Sequence, residues 1–258
     1  MTKSNKNMFF VLGAPDPEMK EIERICREEG IAFGYATFGG SVVHSYEAYN
    51  ADGVNALISG ENPYVVFVEC SVMGLNYDDV IDHHNEGDPG FGKSPAEYLA
   101  GSSLGQFLSM IGLTPTPQQL IIAAADHCLT SAYQGLCPGV DPQDLRDWRE
   151  ATRSLARKIP LETLREQIEQ ATVNLKAAPR VVIDGTEVAW LEDEPPAETS
   201  EASARLALAY MYVKRQSDGR SKAGIRSAPA AAVAYWIKNC GLKNIYGDPQ
   251  RGFAGGYP

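Results

Sequence analysis

The segment Tyr64-Val65-Val66-Phe67-Val68 is apolar at every position until Glu69 and is built from β-branched and aromatic residues. A strand whose two faces are both apolar must be covered on both sides, so this stretch belongs inside a layered α/β domain, not at a solvated edge. A second continuous run, residues 8–12, is short enough for a buried strand and ends at Gly13. Asp16-Pro17 then supplies an N-cap and a first-turn proline, and Met19, Ile22, Ile25 and Cys26 recur on one helical face before Gly30 stops the helix. Residues 31–36 begin a further strand. Strand, helix and strand in this order predict a parallel sheet. Ligands of such sheets gather at the carboxyl ends of the strands, where Asp16, Glu18, Glu69 and the triplet Asp82-His83-His84 fall.

Downstream the pattern turns helical. Residues 94–111 read as one helix ended by Gly112, and Thr116-Pro117-Gln118-Gln119 opens another that carries Asp126 and His127. Asp141-Pro142 caps the next, and residues 161–177 form a long amphipathic helix ahead of Pro179. Beyond it, residues 181–190 read as a hairpin about Asp184-Gly185, followed by an acidic, proline-containing loop and an alanine-rich helix over 202–209. Strands over 211–215 and 222–227 joined at Asp218-Gly219, a helix over 228–239 and a glycine-rich end complete the chain. The expected fold is α/β: a doubly wound parallel sheet over residues 1–178, with a second, smaller mixed α/β domain over residues 179–258.

At 258 residues the chain buries a full core. Its longest apolar runs fall far short of the roughly 20 residues that span a bilayer. The basic N-terminus is followed by a short apolar stretch without a cleavage pattern, so a cytoplasmic location is the expectation. Five cysteines without paired spacing indicate neither a disulfide framework nor a zinc knuckle. Net charge is −10, yet residues 214–258 hold eight basic against two acidic residues, a local +6 that leaves −16 on the rest. Such a body repels long polyanions and attracts cations, while the basic segment suits phosphate or is simply a solvated face. No membrane partner is expected, and self-association is compatible with the sequence.

Two of the four histidines stand beside a carboxylate in Asp82-His83-His84, and a third follows Asp126. Imidazole and carboxylate together suit a divalent metal with oxygen and nitrogen ligands, a common arrangement in hydrolases. Local pairing is the competing reading for the triplet. Asp16 is equally a natural N-cap, and Glu18 suits the positive end of a helix dipole. Glu69 is harder to explain structurally, because a carboxylate ending a continuously apolar strand needs a partner to offset its desolvation. Asp126 follows three alanines and either faces solvent or serves the site; His127 reads as structural.

Pro15-Asp16-Pro17-Glu18, Glu69, Asp82-His83-His84 and Asp126, in this order, resemble the DHH phosphoesterase family across the first 130 residues. Lys222-Ala223-Gly224-Ile225-Arg226-Ser227 and Gly252-Phe253-Ala254-Gly255-Gly256-Tyr257-Pro258 resemble its DHH-associated C-terminal domain, and Ser102-Ser103 is a weaker point of agreement. The resemblance implies that Asp16, Glu18, Glu69, His83 and Asp126 ligate one or two divalent ions, usually manganese, with Glu69 bridging if two bind. It implies that His84 faces the phosphate, and that a loop around Gly255 and Gly256 with Arg226 closes over the substrate; by residue type Arg220, Arg226 and Arg251 are candidate phosphate forks. Two cations would stabilise the attacking hydroxide and the leaving oxygen together.

The chain also departs from that pattern. Leu12 stands where the family places a metal-binding histidine, glutamate replaces aspartate at Glu18 and Glu69, and Tyr257 replaces a histidine in the last loop. His44 is the available substitute for the lost ligand. The activity implied is metal-dependent hydrolysis of a phosphodiester or phosphoanhydride in a small nucleotide or short oligonucleotide, not long nucleic acid. The departures motivate a competing class, a catalytically impaired nucleotide-binding protein acting as sensor or sponge. A structural subunit is the third.

Overall fold

The structure, a computed structural model, describes residues 7–58, 60, 62–192, 194–215, 219 and 221–258. Asp218 of the expected Asp218-Gly219 turn and Arg220 lie outside them. The fold is α/β with two sheets, and the chain divides into two compact units. One unit takes the chain up to Phe91 together with Tyr98–Asp126; the other takes Gly92–Glu97 and His127–Pro258. The boundary expected at 178/179 therefore falls much earlier, and the C-terminal unit is not the smaller one. Among the described residues no helix is long and apolar enough to cross a membrane.

The first unit opens with β1 (Met8–Leu12), α1 (Pro17–Glu29) and β2 (Ala32–Phe38), followed by the short β3 (Ser41–Val42) and β4 (Gly53–Val54), then β5 (Tyr64–Val68) and β6 (Asp79–Ile81). β1 lies between β2 and β5, parallel to both, and β6 extends the parallel set beyond β5. β3 and β4 pair antiparallel with β2. Because the chain runs from β1 to one side and returns on the other, the strand order reverses between β1 and β5, the crevice where parallel sheets bind ligands. Alternation sends Phe10 onto α3 (Ser103–Ile111), its ring edge-on to Phe107 at 4.9 Å. Phe9, Val11, Val65 and Phe67 point the other way, into a cluster closed by Val43, Ala48, Ala51 and Val72. α1 buries the face read from the sequence, Met19, Ile22, Ile25 and Cys26, and ends at Gly30 with φ +64°.

The helix expected over 94–111 is interrupted. α2 (Tyr98–Gly101) stops at Ser102, which turns to an extended conformation and caps α3 by accepting from the Gly105 N–H at 3.0 Å. α4 (Pro117–Tyr133) crosses from the first unit into the second and is kinked at Cys128, whose thiol sulfur lies 3.3 Å from that of Cys137.

In the second unit, α5 (Pro142–Arg157) and α6 (Leu161–Ala177) precede the hairpin of β7 (Arg180–Ile183) and β8 (Thr186–Leu191). Asp184 and Gly185 both have positive φ, as a tight two-residue hairpin turn requires. α7 (Thr199–Leu206), β9 (Tyr210–Arg215), β10 (Ser221–Arg226), α8 (Ala230–Asn239), β11 (Lys243–Asp248) and β12 (Phe253–Tyr257) follow, in the sheet order β11-β12-β10-β9-β8-β7. The glycine-rich end is thus a strand and not the expected loop: Gly255 pairs with Gly224, and Gly256 with Ala223. A Cβ on Gly255 would come 2.3 Å from the Tyr246 hydroxyl, so this glycine lets a tyrosine of the neighbouring β11 lie across the strand.

Candidate metal centre

Three chain segments meet where the parallel strands end. After β1, the Gly13 N–H donates to the Val68 carbonyl at 2.9 Å, and a Cβ on Gly13 would sit 2.4 Å from the Glu69 carbonyl oxygen. Only glycine allows the chain leaving β1 to pass so close to the chain leaving β5. Glu69 adopts φ +50° and donates its N–H to the Ile81 carbonyl at 3.0 Å. A left-handed glutamate costs on the order of 1 kcal/mol and is found where the surroundings impose it, typically at sites. β6 then delivers Asp82, His83 and His84.

α3 addresses this cluster through its first turn. The Ser103 hydroxyl donates to Glu69 Oε1 at 2.7 Å, and the Leu104 N–H donates to Glu18 Oε1 at 2.9 Å. The break at Ser102 therefore has a local result: it creates a helix N-terminus whose donors and dipole face two buried carboxylates. His83, fully buried, places Nε2 3.2 Å from Glu69 Oε1 and 3.1 Å from Asp126 Oδ2. Glu18, Glu69, His83 and Asp126 each bring a ligand atom within 4.8 Å of the others, and Glu69 and His83 form a second such group with His84.

The electrostatics are compatible with a bound cation. Among the described residues no lysine or arginine forms an ion pair with Asp16, Glu18 or Glu69. Burial, then Asp126 and Glu69, push the Asp16 carboxyl up to about 8, and the same causes raise Glu18 well above the usual carboxylate range. Burial acts on Glu69 too, but the hydrogen bond with His83 and the positive potential of His84 and His83 outweigh it and hold this carboxyl below its ordinary value. Glu18 Oε2 is buried and has no hydrogen-bond partner among the described residues. The separations of about 3.1 Å at His83 match the edges of a coordination shell with ligands at about 2.1 Å. All four donors are oxygen or imidazole nitrogen, so the cluster fits a divalent cation.

No protein-family model matches the chain, and no curated protein matches it.

Of the residues singled out in the sequence, Glu18, Glu69, His83 and Asp126 converge in one group. Asp16 stands beside them, with Oδ1 accepting from the Met19 N–H at 2.8 Å, so it caps α1 as well as repelling its neighbours. Leu12 is fully buried at the end of β1. His44 is exposed, stacked on Tyr46, and belongs to neither donor group. His127 lies in the second unit, where Nε2 meets the Lys93 carbonyl at 3.0 Å, in keeping with a structural role. Arg226 and Arg251, on the second unit, both stack over the Phe253 ring, and Gly255 and Gly256 lie within β12.

Sequence reading left Asp82 without a role and did not single out Tyr49. Asp82 is buried, and its Oδ1 accepts from the His83 N–H (2.6 Å), the His84 N–H (3.0 Å) and His84 Nδ1 (2.9 Å). The Tyr49 hydroxyl lies 2.9 Å from Oδ2 and 3.1 Å from Oδ1. Burial raises the Asp82 carboxyl, yet the hydrogen bonds from His84 and Tyr49 prevail and keep it ionised below its ordinary value. Asp82 announced itself by adjacency to the histidines. Tyr49, remote in sequence, carried no signal.

Proposed function

We propose that the chain is a metal-dependent phosphoesterase of the DHH type, hydrolysing a phosphodiester or phosphoanhydride of a small nucleotide or short oligonucleotide. The observation that carries this reading is the convergence of Glu18, Glu69 and His83, all buried, with the half-buried Asp126, without a lysine or arginine at Glu18 or Glu69, at the strand-order reversal of a parallel sheet. These four residues hold the ion, with Asp16 contributing charge at its edge. Manganese is the metal of choice for a shell of carboxylates and one imidazole, and it supplies Lewis-acid charge to phosphoryl oxygens and acidifies water.

The remaining roles belong to the chain itself. With its Nδ1–H held by Asp82, His84 as an imidazolium presents its Nε2–H to a phosphate oxygen as a charge-stabilising donor. Its side chain is 36% exposed, enough to meet a ligand. On the second unit, Arg226 lines a cavity of about 240 Å³ with Lys214, Tyr210, Tyr212 and Ser200. Lys214 there pairs with Glu194, whereas Arg226 pairs with no carboxylate among the described residues, which suits a guanidinium reserved for a phosphate. Arg251, Gly255 and Gly256, also of the second unit, are the remaining substrate-contact candidates in this reading, as turn and strand residues.

One observation favours the competing reading of a nucleotide binder without turnover: Leu12 fills its place at the end of β1 completely, and His44 does not replace a ligand there. Elemental analysis of the purified protein, with hydrolysis of bis-p-nitrophenyl phosphate in added manganese, separates the two. Stoichiometric metal and turnover, both lost in His83→Ala, support the phosphoesterase. Metal with nucleotide binding and no turnover supports the binder, and no metal defeats both the ion site and the enzyme.

A further inference from the structure

Asp82 lies beside the metal cluster without belonging to it, and its contacts on the two oxygens differ. Two backbone N–H groups and one imidazole N–H crowd Oδ1, while no backbone N–H among the described residues donates to Oδ2. The hydroxyl of Tyr49 reaches Oδ2 at 2.9 Å while lying 3.1 Å from Oδ1, and the Asp82 side chain also meets that of Asp88. A carboxylate held at one oxygen only is free to swing about its terminal torsion, which is broad and two-fold. A second donor on the other oxygen pins that torsion, and with it the acceptor that sets which nitrogen of His84 carries the proton.

The backbone around Tyr49 is itself anchored to the site. Tyr49 sits in a single 3-10 turn, Ala48–Asn50, whose first residue is packed in the core. The Ser71 N–H donates to the Ala48 carbonyl at 3.0 Å, the Ala51 N–H to the Ser71 carbonyl at 3.2 Å, and the Met73 N–H to the Ala51 carbonyl at 2.9 Å. Tyr49 is thereby tied to the segment just past Glu69. Its ring stands edge-on to the His84 ring, with centroids 6.3 Å apart. Tyr49 is 38% exposed, and because it faces an ionised carboxylate, which can only accept, its hydroxyl is the donor.

We propose that Tyr49 is a positioning residue that acts through Asp82 to fix the orientation of the His84 imidazole and the tautomer of its neutral form, with that proton on Nδ1 and with Nε2 turned outward to take up the second one. The tautomer is a property of the metal-free chain; its consequence for turnover rests on the phosphoesterase reading. A merely structural tyrosine would leave the tautomer alone, and a substrate contact would act on KM.

The test compares the full-length protein with Tyr49→Phe, which keeps the ring and removes the hydroxyl. Long-range nitrogen–proton correlation spectra of the histidine rings report the tautomer, with His127 as internal reference. The wild-type His84 should show a single Nδ1–H form, and Tyr49→Phe should give averaged nitrogen shifts with His127 unchanged. Asp82→Asn, whose amide oxygen is a weaker and uncharged acceptor, must disturb His84 in the same way. On bis-p-nitrophenyl phosphate with manganese, kcat should fall about tenfold in Tyr49→Phe with KM changed by less than about twofold. An unaltered His84 tautomer in either variant overturns the proposal, as does a rise in KM at constant kcat. An altered tautomer in a protein without turnover sustains the positioning role and removes the phosphoesterase reading instead.

Discussion

Each unit buries carboxylates, and the two treat them in opposite ways. In the second unit Glu150, Glu198 and Glu201 are nearly inaccessible, and each is met by guanidinium groups: Glu201 by Arg149 at 2.7 Å and Arg205 at 3.1 Å, Glu198 by Arg153 and Arg157, Glu150 by Arg165 and Arg205. Burial raises Glu201 and Glu150, but their arginines prevail and hold both below the usual carboxylate range. In the first unit Glu18 is just as buried, yet what surrounds it is Asp16, Glu69 and Asp126, and it is raised. A chain able to build the first kind of site does not lack the arginines to neutralise the second. The difference leaves the first unit with a cluster of carboxylates and an imidazole that could hold a divalent cation, where the second unit supplies its own guanidinium groups.

The sharpest test removes one carboxylate from each cluster. Glu201→Ala leaves Arg149 without its carboxylate and Arg205 with Glu150 alone inside the second unit, and should cost about 3–5 kcal/mol in urea unfolding. Glu18→Gln in metal-free protein should not destabilise at neutral pH, because it removes a carboxyl that has no cation to lose. Equal losses in the two variants would dissolve the contrast.

Adding the cation should make the first unit behave like the second. Manganese at about a hundred times its dissociation constant should stabilise the wild type by about 2.7 kcal/mol. His83→Ala and Glu69→Gln should lose most of that gain, while Glu150→Gln should keep it. Thermal unfolding with and without the metal measures all four.

Much of this contrast was legible in the sequence, and the exceptions have physical causes. β1, α1 and its capping residues, β5, α5, α6 and the Asp184-Gly185 hairpin carry strong local signals, because periodicity, caps and turn residues all agree there. Glu69 was readable as a carboxylate with no apolar excuse for its position. The helix break at Ser102 was missed although Gly101-Ser102 is a local signal for it, a glycine followed by a capping serine; what the local signal could not give is the outcome, donors of the new helix N-terminus at Glu18 and Glu69. β11 and β12 were missed because Gly255 and Gly256 have low strand propensity, which the Tyr246 ring lying over Gly255 overrides. Tyr49 joins Asp82 only through the fold, so no spacing rule could have found it.

The two clusters should also respond oppositely to pH. Glu201 and Glu150 have folded values below their ordinary 4.5, so their stabilisation is present above that value and is lost as pH falls. Asp16 and Glu18 are raised, so in metal-free protein the folded state binds protons that the unfolded state releases. Their contribution is fully present below the ordinary carboxylate values and is lost as pH climbs toward the folded value of Asp16, about 8. Urea unfolding in chelator at pH 5 and pH 8, compared between wild type and Glu18→Gln, isolates this component: the variant should gain on the wild type as pH rises, and saturating manganese should abolish the gain.

Asp16 offers the smallest and most discriminating effect, because it has both a cap's contact and a cluster's repulsion, whereas Asp141 caps α5 in the second unit by accepting from the Gln143 and Asp144 N–H groups with no carboxylate cluster around it. Asparagine caps a helix about as well as aspartate, within a few tenths of a kcal/mol, so Asp141→Asn should be nearly silent at every pH. Asp16→Asn should be silent only below the ordinary carboxylate value of 3.8, where the wild-type carboxyl is protonated folded and unfolded alike, and increasingly stabilising in metal-free protein as pH rises toward 8, because the unfolded wild type ionises there while Asp126 and Glu69 oppose the charge in the folded state. If Asp16→Asn is as silent at pH 8 as Asp141→Asn, Asp16 is a cap alone, and the ion is held by Glu18, Glu69, His83 and Asp126 without its charge.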